Sequence, residues 1–303
     1  MPVKTTTLDA IATSAGTFAV VAMDQRGTLR RMYAAAGRPD ATAEEMTALK
    51  VDILEGLRGP ASAFLVDPDL GVPALGRLGD GAPFGTLIAA EPSNRGVHEG
   101  EPVVSLDPEQ SASWVQEHGG DAVKFLIQVR ADRPVGPDGR DLTAEAAEVV
   151  RAVVDDCAAA GIPSVVENLI YPLAGADELT PEQRADAIIE AAVWLDSLGP
   201  SLLKLEYPGS PQACRRLASR LTRPWAVLSA GVPMDRFADV LRISCDEGGA
   251  SGFIAGRALW KEAVGMPAGP DRVAHLAGEG RRRLDEALAV IDGRARPWRE
   301  VAS

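Results

Sequence analysis

Short apolar runs recur along the chain at the spacing of alternating strands and helices. Eight of them are apolar almost throughout and do not alternate with polar residues, which is typical of strands covered on both faces. The predicted strands are 18–23, 63–66, 86–90, 122–127, 164–167, 202–206, 225–229 and 252–255.

The segments between most of these runs have the length and start signals of helices. Thr42 and Glu45 have the spacing of a capping box, and Thr180-Pro181 supplies a cap followed by a proline in the first turn. The predicted helices are 42–56, 143–160, 180–198, 211–221, 234–246 and 271–291. Alternating strands and helices of this kind indicate repeated βα units.

Eight βα units without a long linker predict one (β/α)8 TIM barrel, a single domain over residues 1–303. A doubly wound sheet is the second choice, because such sheets seldom need eight near-equal parallel strands. The glycine-rich stretch 79–85 precedes a strand instead of following one, so we interpret it as a turn and not as a dinucleotide-binding loop.

Polar residues follow or interrupt every predicted strand near its C-terminal end, where the active sites of such barrels lie. A ring with several carboxylates and two lysines is hard to explain by structure alone. In strand order the ring reads Asp24-Gln25-Arg26, Asp67, Glu91, Lys124, Glu167, Lys204 with Glu206, Ser229-Ala230-Gly231 and Gly256-Arg257.

Two of the five lysines interrupt apolar strands: Lys124 lies in AVKFLI and Lys204 in LLKL. An interior lysine commonly has a lowered pKa, and a neutral amine is a nucleophile. The pattern therefore indicates Schiff-base chemistry with a carbonyl substrate. The alternative is a structural ion pair of either lysine with Glu167 or Glu206.

The loops of the seventh and eighth βα units have residues suited to binding an anion. Ser229 and Gly231 after the seventh strand, and Gly256 and Arg257 after the eighth, offer free backbone N–H groups and a guanidinium. The alternative is that these glycines serve only tight turns.

The composition limits the classes of binding partner that we expect for this protein. The net charge of −12 and the pI of about 4.8 argue against nucleic-acid binding. Cys157, Cys214 and Cys245 are widely spaced and predict buried free thiols. The start of the chain lacks a signal-peptide pattern and no apolar run spans a membrane, so we expect a cytoplasmic protein without a membrane partner.

We expect no metal and no other cofactor. The three histidines lie away from the strand ends and have no zinc-ligand spacing. Magnesium on Asp24, Asp67 and Glu91 stays open as an alternative.

Five segments resemble the class I aldolases of the tagatose-1,6-bisphosphate aldolase family, which includes the sulfofructosephosphate aldolases of sulfoquinovose breakdown. The resemblance covers nearly the whole chain, in order and at barrel spacing. The segments are DQRG at 24–27, DAVKFL at 121–126, LKLE at 203–206, LSAGV at 228–232 and GASGFIAGRA at 249–258.

The resemblance implies retro-aldol cleavage of a ketose 1-phosphate to dihydroxyacetone phosphate and an aldehyde. It makes Lys204 the Schiff-base lysine and Glu167 the acid/base. Lys124 and Asp24 would hold hydroxyls near the cleaved bond, together with the Gln25 amide. It further implies a C1-phosphate cradle and a homo-oligomer; the cradle comprises Ser229, Gly231, Gly256 and Arg257.

The substituent at C6 of the sugar stays open. Some loops resemble those of the sulfosugar members of the family and others resemble those of the tagatose members. On balance they favour 6-deoxy-6-sulfofructose 1-phosphate, which would yield sulfolactaldehyde, over tagatose or fructose 1,6-bisphosphate. Arg130, with Arg26, Arg30 and Arg95, is a candidate for the second anion. Three other functions stay open for such a barrel: a deoxyribose-phosphate-type aldolase, a dehydratase and a non-catalytic sugar-phosphate-binding protein.

Overall fold

A computed structural model describes residues 5–79 and 84–301. Eight parallel strands close into a barrel in which each strand pairs with its sequence neighbours and the first pairs with the eighth. In chain order, the strands are Phe18–Ala22, Ala63–Val66, Gly85–Ala89, Ala122–Ile127, Ser164–Asn168, Leu202–Leu205, Trp225–Val227 and Gly252–Ala255. The predicted (β/α)8 barrel is confirmed.

Helices connect the strands and cover the outside of the barrel. The α-helices are Gly27–Ala35, Ala43–Leu57, Gly71–Gly76, Ala112–Glu117, Leu142–Ala160, Pro181–Asp196, Pro211–Ala218, Met234–Gly248, Arg257–Trp260, Pro270–His275 and Arg281–Ile291. The last two are joined by the π-helical segment Leu276–Gly280, and 3-10 turns occur at Leu8–Ile11, Lys261–Gly265 and Trp298–Glu300. A small antiparallel hairpin pairs Val97–His98 with Glu101–Pro102.

The predicted elements agree with the structure to within a few residues at each end. The capping box at Thr42 is present, and Thr180 forms a second one with Gln183. The predicted helix 271–291 contains the π-helical segment, and several short α-helices were not predicted. The centre of the turn predicted at 79–85, residues 80–83, lies outside the described residues.

Apolar side chains of the strands alternate between the barrel interior and the surrounding helices. This alternation determines which side chains point into the barrel. In the first strand, Phe18, Val20 and Ala22 fill the interior, whereas Ala19 and Val21 face the helices. Side chains two positions apart lie on the same face of a strand, so the interior phase of the first strand continues to Asp24. All three cysteines are buried and free, as predicted.

The seam between the first and eighth strands requires two glycines. A Cβ atom on Gly252 would lie 2.1 Å from the Phe18 carbonyl oxygen, and one on Gly256 would lie 1.9 Å from that of Ala22. Both obstacles are backbone atoms, which a side-chain rotation cannot move. Glycine at these positions therefore allows the barrel to close tightly.

We predict that Gly256→Ala lowers the free energy of unfolding by roughly 3 kcal/mol, because the added methyl group must displace the Ala22 backbone. Gly76→Ala is the matched control, since its Cβ would have no neighbour within 4 Å. It should change stability by less than about 1 kcal/mol. Equal unfolding curves for the two variants would contradict the close packing at the seam.

Candidate active site

Three neighbouring strands bring the central ionisable groups into the barrel. In the fourth, fifth and sixth strands, the residue two positions after an interior apolar side chain is Lys124, Glu167 and Lys204, respectively. The register places Glu167 directly beside Lys204. These three side chains therefore share the interior face and converge near the C-terminal end of the barrel.

Lys124 is fully buried and is surrounded by carboxylates. Its Nζ lies 2.8 Å from Asp24 Oδ2, 2.9 Å from Glu91 Oε1 and 3.0 Å from Glu167 Oε2. A buried ammonium needs such partners, because transfer from water costs several kcal/mol. Residues within or just after four separate strands thus contribute to one buried charge cluster.

Lys204 shares one of these partners. Its Nζ lies 2.8 Å from Glu167 Oε2, the same oxygen that Lys124 approaches. Glu167 therefore bridges the two lysines, and a proton on its carboxylate can reach either amine. Both sequence interpretations, amine chemistry and an ion pair with Glu167, are compatible with this contact. Glu206 instead pairs with Arg184.

The cluster shifts the pKa values of its members in opposite directions. Burial opposes the charge on Lys124, but the three neighbouring carboxylates outweigh it and raise the pKa above that of an ordinary lysine. Burial likewise opposes ionisation of Asp24 and Glu167, but Lys124 and Lys204 outweigh it and lower both pKa values. These shifts favour an ammonium at Lys124 and ionised carboxylates at Asp24 and Glu167.

Glu91 belongs to this cluster, although the sequence prediction gave it no catalytic role. Its second carboxylate oxygen accepts a hydrogen bond from Leu126 N at 3.1 Å, and its backbone carbonyl accepts one from Arg26 at 2.9 Å. The signal was present in the sequence, because Glu91 follows the interior residue Ala89 by two positions. Its contacts fix the carboxylate that faces Lys124.

Lys50 is a buried lysine that the sequence prediction missed. It lies on the helix Ala43–Leu57, four residues after buried Met46, and its Nζ contacts Asp67 Oδ1. The helical period of the buried face was the available signal. Asp67 is thus paired with a lysine. Asp24 and Glu91, the other two groups of the open magnesium alternative, both face Lys124.

Two adjoining cavities open onto the cluster, with volumes of about 270 and 280 Å³. Lys204, Glu167 and Gln25 line both of them, as does Arg257. The buried Gln25 Oε1 has no hydrogen-bond partner within the described residues. Gln25 is therefore available to bind a ligand group, next to the Asp24 carboxylate to which it donates at 3.2 Å.

The predicted phosphate cradle lies at one end of this space. Ser229, Gly256 and Arg257 line the second cavity. A Cβ atom on Gly231 would lie 3.0 Å from Arg257 Cζ, so the absence of a side chain lets the guanidinium pack against this turn. In the described part of the chain, the Arg257 side chain has no hydrogen bond or ion pair, which leaves its charge available to an anion.

Arg130 lies away from both cavities. Its guanidinium forms a bidentate pair with Asp132 at 2.9 and 2.7 Å and donates to the Tyr171 carbonyl at 3.1 Å. The prediction that Arg130 binds substrate therefore gains no support from the structure. Of the other predicted arginines, Arg26 contacts Asp69 and Glu91, and Arg30 is exposed outside the cavities.

Arg95 and Arg31 line the first cavity but not the second, which Ser229 borders. Arg95 Nη1 is buried and without a hydrogen-bond partner among the described residues, and Arg31 donates to Thr28 Oγ1 at 2.9 Å. Neither forms an ion pair with a carboxylate in residues 5–79 and 84–301. Arg31 was not predicted, because it lies on a short helix that the sequence pattern did not reveal.

Other parts of the described chain lack this combination of groups. His98, Glu99 and Asp138 could together face a cation, but they lie at the small hairpin and its neighbouring loop. A larger cavity of about 600 Å³ has Asp292 as the one ionisable group among its described lining residues, and Thr13 to Thr17 place it before the first strand. None of the helices described is long and apolar enough to cross a membrane.

We predict that Lys124→Met destabilises the protein by about 3–5 kcal/mol, because it leaves three buried carboxylates facing each other without their cation. Lys204→Met should cost clearly less, since Glu167 keeps Lys124 as a partner. Thermal unfolding of both variants tests this difference. A smaller loss for Lys124→Met than for Lys204→Met would contradict the charge assignment.

Comparisons with known proteins agree with this architecture. Residues 18–262 match the DeoC/LacD family aldolase model. Tagatose 1,6-diphosphate aldolase 2 of Streptococcus pyogenes serotype M3 is 30% identical, over 94% of each chain.

Two solved barrels show the same fold at lower identity. One is fructose-bisphosphate aldolase of Plasmodium falciparum, with a TM-score of 0.69, 14% identity and 95% and 94% coverage of this chain and that one. The other is an archaeal fructose-1,6-bisphosphate aldolase, with a TM-score of 0.55, 17% identity and 94% and 96% coverage. The chain belongs to the DeoC/LacD family of aldolases and is a carbon–carbon lyase.

Proposed function

We propose that the protein is a class I aldolase that cleaves a ketose 1-phosphate through a Schiff base on Lys204. The observation that carries this proposal is the pair of interior lysines bridged by Glu167 at the floor of the cavities. Family membership supports catalysis over a non-catalytic sugar-phosphate-binding barrel. The named relatives support a ketose substrate over a deoxyribose phosphate, and cleavage of a carbon–carbon bond over dehydration.

The first half of the reaction forms the covalent intermediate. The Lys204 amine attacks the C2 carbonyl, and the resulting carbinolamine loses water to give an iminium ion. Glu167 is 2.8 Å from the attacking nitrogen, so it can take a proton from the amine and return one to the departing hydroxyl. Lys124 keeps its charge through this exchange because the Asp24 and Glu91 side chains still face it when Glu167 holds the proton.

The second half breaks the bond between C3 and C4. Removal of the C4 hydroxyl proton sends the bond electrons into the iminium, which gives an enamine and releases the aldehyde. Protonation of the enamine at C3 and hydrolysis then free dihydroxyacetone phosphate and Lys204. We assign the proton transfers to Glu167 and the holding of the hydroxyls near the cleaved bond to Asp24 and Gln25, which line the first cavity. Lys124 lines neither cavity and supports this role through its contact with Asp24.

The unpaired Arg257 guanidinium would bind the C1 phosphate, with backbone N–H groups near Ser229, Gly231 and Gly256. A phosphate at this end lies remote from the reacting bond. Its binding energy can therefore hold C2 against Lys204 without contributing to the chemistry itself.

The lining of the first cavity supports a second anion at C6. Arg31 and Arg95 both lack a carboxylate partner among the described residues, and two cations suit a phosphate dianion better than a sulfonate monoanion. This favours a ketose 1,6-bisphosphate, as do relatives named tagatose 1,6-diphosphate aldolase. Cleavage of 6-deoxy-6-sulfofructose 1-phosphate to sulfolactaldehyde, with a role in sulfoquinovose degradation, is the second candidate.

We further propose that the enzyme acts in the cytoplasm as a homo-oligomer and needs no cofactor. The phosphorylated substrate is consistent with an internal metabolic role, and the lysine chemistry provides its own electron sink.

Borohydride reduction in the presence of dihydroxyacetone phosphate should add the mass of the reduced ligand to Lys204, because an imine at that nitrogen becomes a stable secondary amine. Peptide mass spectrometry locates the adduct. Lys204→Ala should lose nearly all turnover while keeping its fold. An adduct on Lys124, or none at all, would refute the Schiff-base assignment.

Arg257→Ala should raise KM for the phosphorylated ketose by roughly tenfold or more, since a charge-assisted hydrogen bond contributes about 1.5–3 kcal/mol. Arg223→Ala is the control, because Arg223 is exposed and lies just before the seventh strand, at the other end of the barrel. An unchanged KM for Arg257→Ala would place the C1 phosphate elsewhere.

Substrate comparison tests the second anion. We predict a higher kcat/KM for tagatose or fructose 1,6-bisphosphate than for 6-deoxy-6-sulfofructose 1-phosphate. Arg95→Ala should lower kcat/KM for the bisphosphates by about tenfold, but should hardly affect fructose 1-phosphate, which has no anion at C6. A tenfold preference for the sulfosugar would instead select the second candidate and leave the aldolase assignment intact.

A further inference from the structure

The turn that carries Asp24 has few backbone hydrogen bonds within itself. The first strand ends at Ala22 and the next helix begins at Gly27, so Asp24 lies in irregular backbone between them. Met23 N still donates to the Leu65 carbonyl of the second strand at 2.8 Å. The carbonyl groups on either side of Asp24, those of Met23 and Gln25, need donors from another part of the chain.

Lys50 supplies both donors. Its Nζ lies 2.7 Å from the Met23 carbonyl oxygen and 3.1 Å from that of Gln25. The third hydrogen of the ammonium is directed to Asp67 Oδ1. An ammonium has three N–H donors, so all of them are used.

Asp67 fixes the position of this ammonium. It follows the second strand, its side chain is fully buried, and its other oxygen accepts a hydrogen bond from Leu70 N at 2.9 Å. One carboxylate therefore connects Lys50 to the end of the neighbouring strand. The result is a rigid link from the second strand, through a helix side chain, to the turn around Asp24.

The two carbonyl contacts distinguish Lys50 from a lysine that only pairs with a buried carboxylate. A buried ion pair often can be replaced by apolar residues of similar size with no loss of stability. Such a replacement would leave the carbonyls of Met23 and Gln25 without donors, one residue before and one after the carboxylate that faces Lys124. The contacts of Lys50 thus point to control of the turn.

We propose that Lys50, anchored by Asp67, is a positioning residue that holds Asp24 in place against Lys124 and the substrate hydroxyls. Lys50 lines neither cavity, so it acts through the backbone on both sides of Asp24. The inference rests on the proposed function, because it assigns Asp24 a role in holding substrate.

A double-mutant cycle with Asp24→Asn tests it. Lys50→Met should lower kcat for the ketose bisphosphate by about 10- to 100-fold, with a smaller change in KM, because a small displacement of a catalytic group has an effect of this size. In the Asp24→Asn background, the same substitution should lower kcat by less than about threefold. Additive losses in kcat would overturn the proposal.

Lys50→Gln provides a rescue, since its amide offers two N–H donors for the two carbonyls. It should recover kcat to within about fivefold of the wild type. If Lys50→Met does not fold, Lys50→Met/Asp67→Asn removes the cation without leaving a charged partner, and the same loss of kcat is expected. Activity equal to wild type in every folded Lys50 variant would also overturn the proposal.

Arg272→Met is the matched control, because Arg272 forms another buried ion pair with the same helix, at Asp52, and lines neither cavity. It should lower the unfolding temperature but keep kcat within about twofold. Borohydride trapping on wild-type Lys204 separates the two claims. Failure to trap would count against the proposed function, whereas successful trapping with an additive cycle would reject the role of Lys50 alone.

Discussion

The burial of one lysine ammonium inside an apolar barrel is the constraint on which the site depends. Below Lys124 the interior is filled by alanine, valine, leucine and other apolar side chains, which cannot solvate a charge. Carboxylates within or just after three other strands meet that need. The polar end of the barrel is therefore an interdependent network, in which loss of the cation affects every acidic group around it.

This network gives two chemically identical side chains different surroundings. Lys124 faces three carboxylates and is fully buried, whereas Lys204 faces one and lines both cavities. The first arrangement suits a permanent charge that holds the carboxylates around it, and the second suits an amine that must meet a carbonyl carbon. Glu167 connects them, so proton transfer at Lys204 takes place beside a fixed positive charge.

The sequence predicted much of this site because strand alternation is local. The phase of the interior residues places Lys124, Glu167 and Lys204 on one face, and the same phase reaches Asp24. It could not show which distant groups a long side chain contacts. Lys50 reaches the turn around Asp24 from an outer helix, across a separation that no local pattern encodes.

The arginines show the same limit of prediction from the sequence. Arg130 follows Lys124 by six residues, but its guanidinium is engaged by Asp132 two residues later. The availability of an arginine depends on which carboxylates lie nearby in space, which only the folded arrangement specifies.

The protonation state of Lys124 is the most direct measure of the central claim. In protein with ¹⁵N-labelled lysine, the Nζ resonance of Lys124 can be assigned by comparison with Lys204→Met and Lys50→Gln variants and followed as pH rises. We predict an ammonium signal that persists beyond the ordinary lysine pKa of about 10.4, because the facing carboxylates raise the pKa of Lys124. Loss of the Lys124 proton well below that pH would contradict the account.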